Sequence, residues 1–408
     1  MKRKNIEDVF TPRNATVNRD MYVERIFLET ELRKKMKGSK NIIIYGESGC
    51  GKSWLYKNEF KKSKKNYKVI NLAYVEENGG ILAYMYNESF AGIATKDGYT
   101  ETKEAGIDAV LAKATLKHEG QYKVNTKSAL FAYLDRYFNG SPGFICFENL
   151  EVVFSNVHMM KQLANLIIML DDEEFAKYKT KFIIVGVPSN ILDYFSQLKN
   201  LSTVANRLVE LSEVSPMEKL QVDDFVERGF IRQLKIKFEE RELDLLKEHI
   251  NFITGGVPQR MHEYSEVLSN LIEEKDWIFS TTLIIDADKQ WLKDSLYRNY
   301  EVVMSMMNSE NTNIGRRNQV LYCIGKLESK SFSVHDIEKL MLQEFPETCI
   351  NQNLNLSIPL GDISESNNPI ISKKNKVYII LDMKYLLCIR TMLSKVDGKV
   401  KRLDLNQL

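Results

Sequence analysis

Short, unbroken apolar runs, separated by stretches of helical spacing, organise the first half of the chain. Asn41–Tyr45 is an isoleucine-rich run bracketed by polar residues, the pattern of a parallel strand covered on both faces. Tyr67–Tyr74, Gly143–Phe147 and Phe182–Val187 repeat it, and Leu208–Leu211 is a weaker fifth instance. Between them, apolar positions three and four residues apart predict helices over Glu24–Lys37, Ser53–Phe60, Ser128–Phe138 and Val157–Leu170. Asn139-Gly140 and Pro188 supply stop signals. Strands and helices in alternation predict an α/β protein with a parallel sheet. Residues 93–127 are polar, with Gly98, Gly106 and Gly120, and read as an elaboration between strands, helical around Ile107–Ala114.

From Pro216 to about Lys275 the strand signal fades and helical spacing takes over, and a further helix-rich region spans roughly 300–345. In the C-terminal part the pattern predicts helices over Asn318–Leu327 and Ser333–Gln343, the latter with Ser333 as N-cap and Asp336 as its capping-box partner. A third helix is expected over Asn351–Ser364, bent at Pro359. Pro369–Leu381 reads as a β-hairpin turning at Lys373-Lys374-Asn375, Tyr385–Leu393 as a last helix, and Lys399–Leu408 as a frayed tail. The expected division is a lead-in segment (1–40) flanking the first strand and the glycine-rich stretch after it, an α/β core (41–215), a helical region (216–300) and a C-terminal domain (301–408).

Composition narrows the function classes. A chain of 408 residues with 44% hydrophobic and 27% charged residues can build several cores. A net charge of +2 excludes a polybasic nucleic-acid binder, so any such surface is local. The apolar runs are strand-length, so no membrane span is expected, and Met1-Lys2-Arg3-Lys4 is not followed by the apolar core of a signal peptide. The five cysteines, Cys50, Cys146, Cys323, Cys349 and Cys388, form no CxxC pair. They read as reduced thiols of a cytoplasmic protein, and the dispersed histidines give no metal site beyond one for Mg²⁺.

The most specific signal is Gly46-Glu47-Ser48-Gly49-Cys50-Gly51-Lys52-Ser53, a G-x-x-x-x-G-K-[ST] run between a predicted strand and a predicted helix. The glycines let successive N–H groups turn toward a phosphate, and the helix start adds partial positive charge. Lys52 reaches the β- and γ-phosphates of ATP, Ser53 ligates Mg²⁺, and Trp54 completes the nucleotide-binding stretch. Cys50 contributes its backbone rather than its thiol. Phe144–Phe147 followed by Glu148-Asn149 is a Walker B arrangement, an apolar strand ending in an acid that holds Mg²⁺. The general-base position is departed from, because the amide of Asn149 cannot accept a proton. Glu148 binding the metal while Glu151 orients water, Glu148 polarising the water itself, and slow hydrolysis in a nucleotide switch all remain open.

With these two elements placed, the chain resembles the AAA+ ATPases, in particular the initiator-like and STAND-related bacterial members, over about residues 20–290. The resemblance implies that Tyr22 and Val23, in the run Tyr22-Val23-Glu24-Arg25, pack beside adenine. It places sensor 1 at Gly186-Val187-Pro188-Ser189-Asn190, with Ser189 or Asn190 as the polar contact. It implies that Arg207, in Ala205-Asn206-Arg207, is an arginine finger supplied to a neighbouring subunit. Gly255-Gly256-Val257-Pro258-Gln259-Arg260 is similar to a sensor-2 turn, with Arg260 reaching the nucleotide from a helical lid. Residues 315–393 look like a winged helix. A DNA-reading role for Asn351, Gln352, Asn353 and Asn355 is opposed by the lack of Lys or Arg there and by Asp362 and Glu365 nearby. The expectation is an ATP-dependent regulatory switch, oligomeric or in complex with a separately encoded effector as in mobile-element or phage-defence systems. A DNA-acting ATPase of the transposition target-selection or initiator type, with duplex DNA as partner, is the alternative, and a non-hydrolysing ATP-bound scaffold the second.

Overall fold

The computed structural model describes residues 2–75, 77–91, 125–186, 202–309, 312, 314–349 and 354–405. The expected helix at Ile107–Ala114, the sensor-1 candidates Ser189 and Asn190, and Asn351, Gln352 and Asn353 lie outside the described residues. Contacts divide the chain into two units, Arg25–Ser215 and Met1–Glu24 with Pro216–Leu408. The expected boundary at residue 40 is therefore replaced by one at 24/25: helix Ile26–Lys37 belongs to the unit holding the glycine-rich loop, and the residues before it belong to the other.

In unit Arg25–Ser215, five strands form one parallel sheet: β1 (Asn41–Tyr45), β2 (Asn66–Asn71), β3 (Gly143–Glu148), β4 (Lys181–Gly186) and β5 (Leu208–Glu210), in the order β2-β3-β4-β1-β5. The strands read as continuous apolar runs because both faces are covered. Ile43, Ile145, Phe147, Ile184 and Leu208 enter one core, and Ile42, Ile44, Cys146, Ile183 and Val185 the other. Helices Ile81–Phe90, Thr126–Phe138 and Val157–Met169 contribute to the first core, Ile26–Lys37 and Lys52–Lys62 to the second. The last two helices are also joined by charge. Arg33 grips Glu59 through two 2.9 Å hydrogen bonds, and the Glu59 side chain has no solvent exposure. Burial alone would raise the Glu59 pKa, but its bonds to Arg33 and Ser63 outweigh that and lower it. At the ends of the unit, Arg25 Nη1 donates to the Ser215 carbonyl at 2.6 Å.

The other unit is helical through Lys219–Val226, a π-helical turn at Glu227–Gln233, Glu240–Thr254, Pro258–Glu274, Thr282–Ser295 and Tyr297–Met306. It continues through helices Arg316–Lys326 and Val334–Glu344, the strand β6 (Ser331–Ser333), helix Ser357–Ser364, and the hairpin β7 (Ile371–Lys374) and β8 (Val377–Ile380). β6, β8 and β7 pair antiparallel in that order. The expected capping box is present, with Ser333 and Asp336 bonding each other's backbone. Pro359 sits in the first turn of its helix, where a missing N–H costs nothing, so no bend is needed. One core runs from Phe225 through Tyr264 and Trp291 to Leu321, Tyr378 and Ile389, so the expected regions 216–300 and 301–408 share their interior. Arg390, on helix Met383–Met392, fastens them further by donating to the carbonyls of Phe252, Gly325 and Leu327 at 3.1, 2.8 and 2.7 Å.

The tail expected to fray instead forms a hairpin, β9 (Leu393–Val396) with β10 (Lys399–Arg402), turning at Asp397-Gly398, both with positive φ. That dipeptide is a strong hairpin signal, and Leu405 beyond it is buried. No helix among the described residues is long and apolar enough to cross a membrane.

The segment before Arg25 is held in this unit by His262, which is 4% exposed. Its Nδ1 accepts from the Thr11 N–H at 3.1 Å, and its ring lies against Phe10 and Phe225. Burial pushes its pKa from 6.5 down to about 3. A proton on Nδ1 would also set donor against donor. Because the folded pKa lies below the unfolded one, the unfolded chain binds more protons between these values. Stability contributed by neutral His262 is thus full above about pH 6.5 and is lost progressively toward pH 3, on the order of a few kcal/mol. Urea unfolding followed by tryptophan fluorescence, to which Trp277 and Trp291 of this unit contribute, is expected to show a midpoint falling between pH 7 and pH 4.5. In His262→Asn, whose amide oxygen can take the Thr11 bond, that dependence flattens although the variant is weaker at pH 7.

Candidate functional site

The glycine-rich loop leaves the C-terminal end of β1 under a tight constraint. Val214 N–H donates to the Tyr45 carbonyl at 2.9 Å, which brings the Val214 backbone over the next residue. A β-carbon at Gly46 would lie 2.4 Å from the Val214 carbonyl oxygen, and Gly46 has φ +148°. Gly49 and Gly51 also have positive φ, 85° and 88°, and Gly51 is the N-cap of helix Lys52–Lys62. Glycine is the residue for such a backbone, and the first turn of the helix has N–H groups without helical partners.

Within this loop Lys52 Nζ donates to the carbonyls of Gly46 and Glu47 at 2.9 and 2.8 Å. Burial lowers the Lys52 pKa, and the charges of Glu151 and Glu47 act against that. Ser53 and Trp54 are half-buried. Cys50 is fully buried, and burial pushes its thiol up to about 11, so it is a poor nucleophile and its backbone is what shapes the loop.

Glu148 stands at the end of β3, opposite Asn71 at the end of β2. Its Oε1 accepts from the Tyr56 hydroxyl at 2.7 Å and lies 3.4 Å from Lys57 Nζ. Asn149 has a left-handed backbone, φ 62° and ψ 45°, as the residue that starts the short helix Leu150–Val153. Its amide donates to Asn71 Oδ1 at 2.6 Å, an oxygen that also accepts from Ala73 N–H. Glu151 is exposed in the first turn of that helix, and its charge favours the protonated form of Lys52. Tyr56, Lys57 and Asn71 were not singled out from the sequence. Spacing could have found the first two: they follow Ser53 by three and four residues and so share its helix face.

The remaining candidates are placed as follows. Arg207, in the turn before β5, pairs through Nε with Asp171 at 2.6 Å and donates through Nη1 to the Thr203 carbonyl at 2.9 Å. Tyr22 and Val23 are buried, and by contacts they belong to the unit that contains Pro216–Leu408. Arg260 lies in the first turn of helix Pro258–Glu274 of that same unit and pairs with Glu263 at 2.6 Å. The Gly255-Gly256 turn before it has positive φ at both residues, and a β-carbon at Gly256 would lie 2.3 Å from the Met217 carbonyl oxygen.

No protein-family model matches the chain, and no curated protein matches it. Among solved structures, it is similar to a Walker-type ATPase of Pyrococcus abyssi, with a TM-score of 0.51, 14% identity, and coverage of 91% of this chain and 97% of that one. The ORC2 protein of Aeropyrum pernix in its ADP form aligns with a TM-score of 0.49 and 13% identity over 94% of this chain and 96% of that one. The Cdc6p protein of Pyrobaculum aerophilum aligns with 0.44 and 13% over 94% and 97%. The first likeness shows the fold, an α/β P-loop architecture shared with that Walker-type ATPase.

Two measurements check the loop. Gly46→Ala adds an overlap with backbone and a strained φ, and is expected to lower the melting temperature of the unit by roughly 5–10 °C. All five cysteines are free and buried, so Ellman's reagent is expected to find no fast-reacting thiol in the native protein and all five after denaturation.

Proposed function

We propose that this chain binds Mg²⁺–ATP at Gly46–Ser53 and hydrolyses it slowly, as a regulatory ATPase whose nucleotide state is read by a separately encoded partner. One observation carries the reading. The loop from Gly46 to Gly51 has positive φ at its three glycines, it ends in a helix start, and it holds a half-buried lysine amine against its own carbonyls. That arrangement suits a polyphosphate, which backbone N–H groups of a glycine turn, the partial positive charge of a helix start and a lysine ammonium can bind together.

The residues also fit a magnesium ion. Ser53 and Glu148 offer hard oxygen donors, the chemistry this ion selects. When bound, Mg²⁺ would neutralise charge developing on the phosphate oxygens. The chain's own groups then divide the work. Backbone N–H groups from Gly49 to Lys52 orient the phosphates, and Lys52 exchanges the Gly46 and Glu47 carbonyls for phosphate oxygens. Asn149 cannot take a proton and is engaged with Asn71, so Glu151, exposed and electrically coupled to Lys52, orients the attacking water. Arg207 serves a neighbouring subunit only after leaving Asp171, which ties finger action to assembly.

The helices Arg316–Lys326, Val334–Glu344 and Ser357–Ser364 with the β6-β8-β7 sheet support the winged-helix reading. Helix Ser357–Ser364 carries no Lys or Arg and contains Asp362, which favours a protein partner over a phosphate backbone at that surface. A second reading, an ATPase acting on duplex DNA, is favoured by a different observation. The β9–β10 hairpin carries Lys399, Lys401 and Arg402, with Lys395 paired to Glu344, and strand β7 ends in Lys373 and Lys374.

ATP turnover measured across protein concentration, with and without duplex DNA, tests both. Wild-type turnover per subunit is expected to rise with concentration. Lys52→Ala is expected to abolish nucleotide binding, and Glu148→Gln to cut turnover by roughly a hundredfold or more. Arg207→Ala is expected to remove the concentration dependence. DNA stimulation that disappears at high salt would favour the second reading. No turnover under any condition, with tight ATP binding retained, would leave an ATP-bound scaffold and reject hydrolysis.

A further inference from the structure

The carboxylate that the proposed function gives to magnesium is already paired with a cation. Lys57 Nζ lies 3.4 Å from Glu148 Oε1, and the Tyr56 hydroxyl donates to the same oxygen at 2.7 Å. Neither residue belongs to the P-loop signature. Both come from the second turn of helix Lys52–Lys62, on the face that also presents Ser53. The Lys57 and Glu148 side chains are only 13% and 16% exposed, so water and salt screen this pair less than one on the open surface. Tyr56 is fully buried, edge-on to Phe60 and Tyr67, a packing that fixes where its hydroxyl points.

We propose that Lys57 sets the magnesium requirement of nucleotide binding by competing with the ion for Glu148, with Tyr56 as the positioning residue that holds Oε1 toward Lys57. This rests on the Mg²⁺–ATP reading above. The sign follows from electrostatics. A divalent ion that displaces Lys57 from Oε1 must break the existing pair. One that takes the other carboxylate oxygen sits beside an ammonium and is repelled by it. In both geometries the lysine weakens the ion, so binding acquires a magnesium threshold that a neutral side chain at 57 would lower. Lys57 thus acts on specificity for the metal–nucleotide complex rather than on the phosphates, which Lys52 serves.

The test is the binding of a fluorescent ATP analogue, N-methylanthraniloyl-ATP, followed by anisotropy at fixed nucleotide while MgCl₂ is raised. Full-length wild type, Lys57→Met and Lys57→Arg are compared, with Lys57→Gln as a second neutral variant in case the methionine protein does not fold. The neutral variants are expected to reach half-maximal binding at about three- to tenfold lower Mg²⁺. Lys57→Arg, which keeps the charge, is expected to stay within about twofold of wild type. A midpoint in the neutral variants that is unchanged, or moved to higher Mg²⁺, overturns the competition. Wild type that binds no nucleotide at any Mg²⁺ overturns the underlying ATP reading instead, so the two failures are distinguishable.

Discussion

The contact between the Val214 backbone and Gly46 constrains the site more than any other. β1 is hydrogen-bonded on both sides, to β4 and β5, and its alternate residues fill both cores. Its end is therefore fixed before the loop begins. Val214 extends the β5 side of the sheet by donating to Tyr45, and its carbonyl then occupies the space a side chain on Gly46 would need. The chain can continue only by a glycine turn, and that turn delivers Lys52 and Ser53 at a helix start. Sheet order, loop shape and the placing of the chemistry are consequences of one backbone approach.

Charge at the site is arranged in two separate pairings. Lys52 rests on neutral carbonyls, a contact that an anion outcompetes readily because no opposite charge must be released. Glu148 rests on a hydroxyl and an ammonium, a contact that a cation must work against. The two halves of the site thus differ in how easily they exchange partners. That difference is built by a single helix: Lys52 opens it, and Tyr56 and Lys57 stand in its second turn.

The sheet was legible because parallel strands buried on both faces leave unbroken apolar runs, and the P-loop because its backbone demands glycine at named positions. Strand ends agreed within a few residues for Asn41–Tyr45, Gly143–Glu148 and Lys181–Gly186. Helix Ile81–Phe90 escaped notice: its polar and aromatic residues, Tyr84, Tyr86 and Asn87, mask the spacing of Ile81, Leu82 and Met85. The closing hairpin was missed because a lysine-rich tail reads as frayed unless Asp397-Gly398 is given its turn value. The unit boundary at Glu24/Arg25 was not legible, because the helical spacing that begins at Glu24 marks a helix start and not a change of unit, and nothing local records that Thr11 bonds His262, 251 residues away. Tyr56 and Lys57 carry no motif, and their meaning depends on β3 bringing Glu148 beside them.

Asn149 is held by more than the chemistry of its side chain. The residue is asparagine in a left-handed conformation, which asparagine tolerates and longer acids resist by about 1 kcal/mol or more. Its amide is also tied to Asn71. Exchanging it for glutamate would add a carboxylate but strain the backbone and oppose that acid to the Asn71 Oδ1 acceptor. The absence of a base at position 149 therefore resides in main-chain geometry as much as in a side chain, and a one-residue exchange would not by itself supply one.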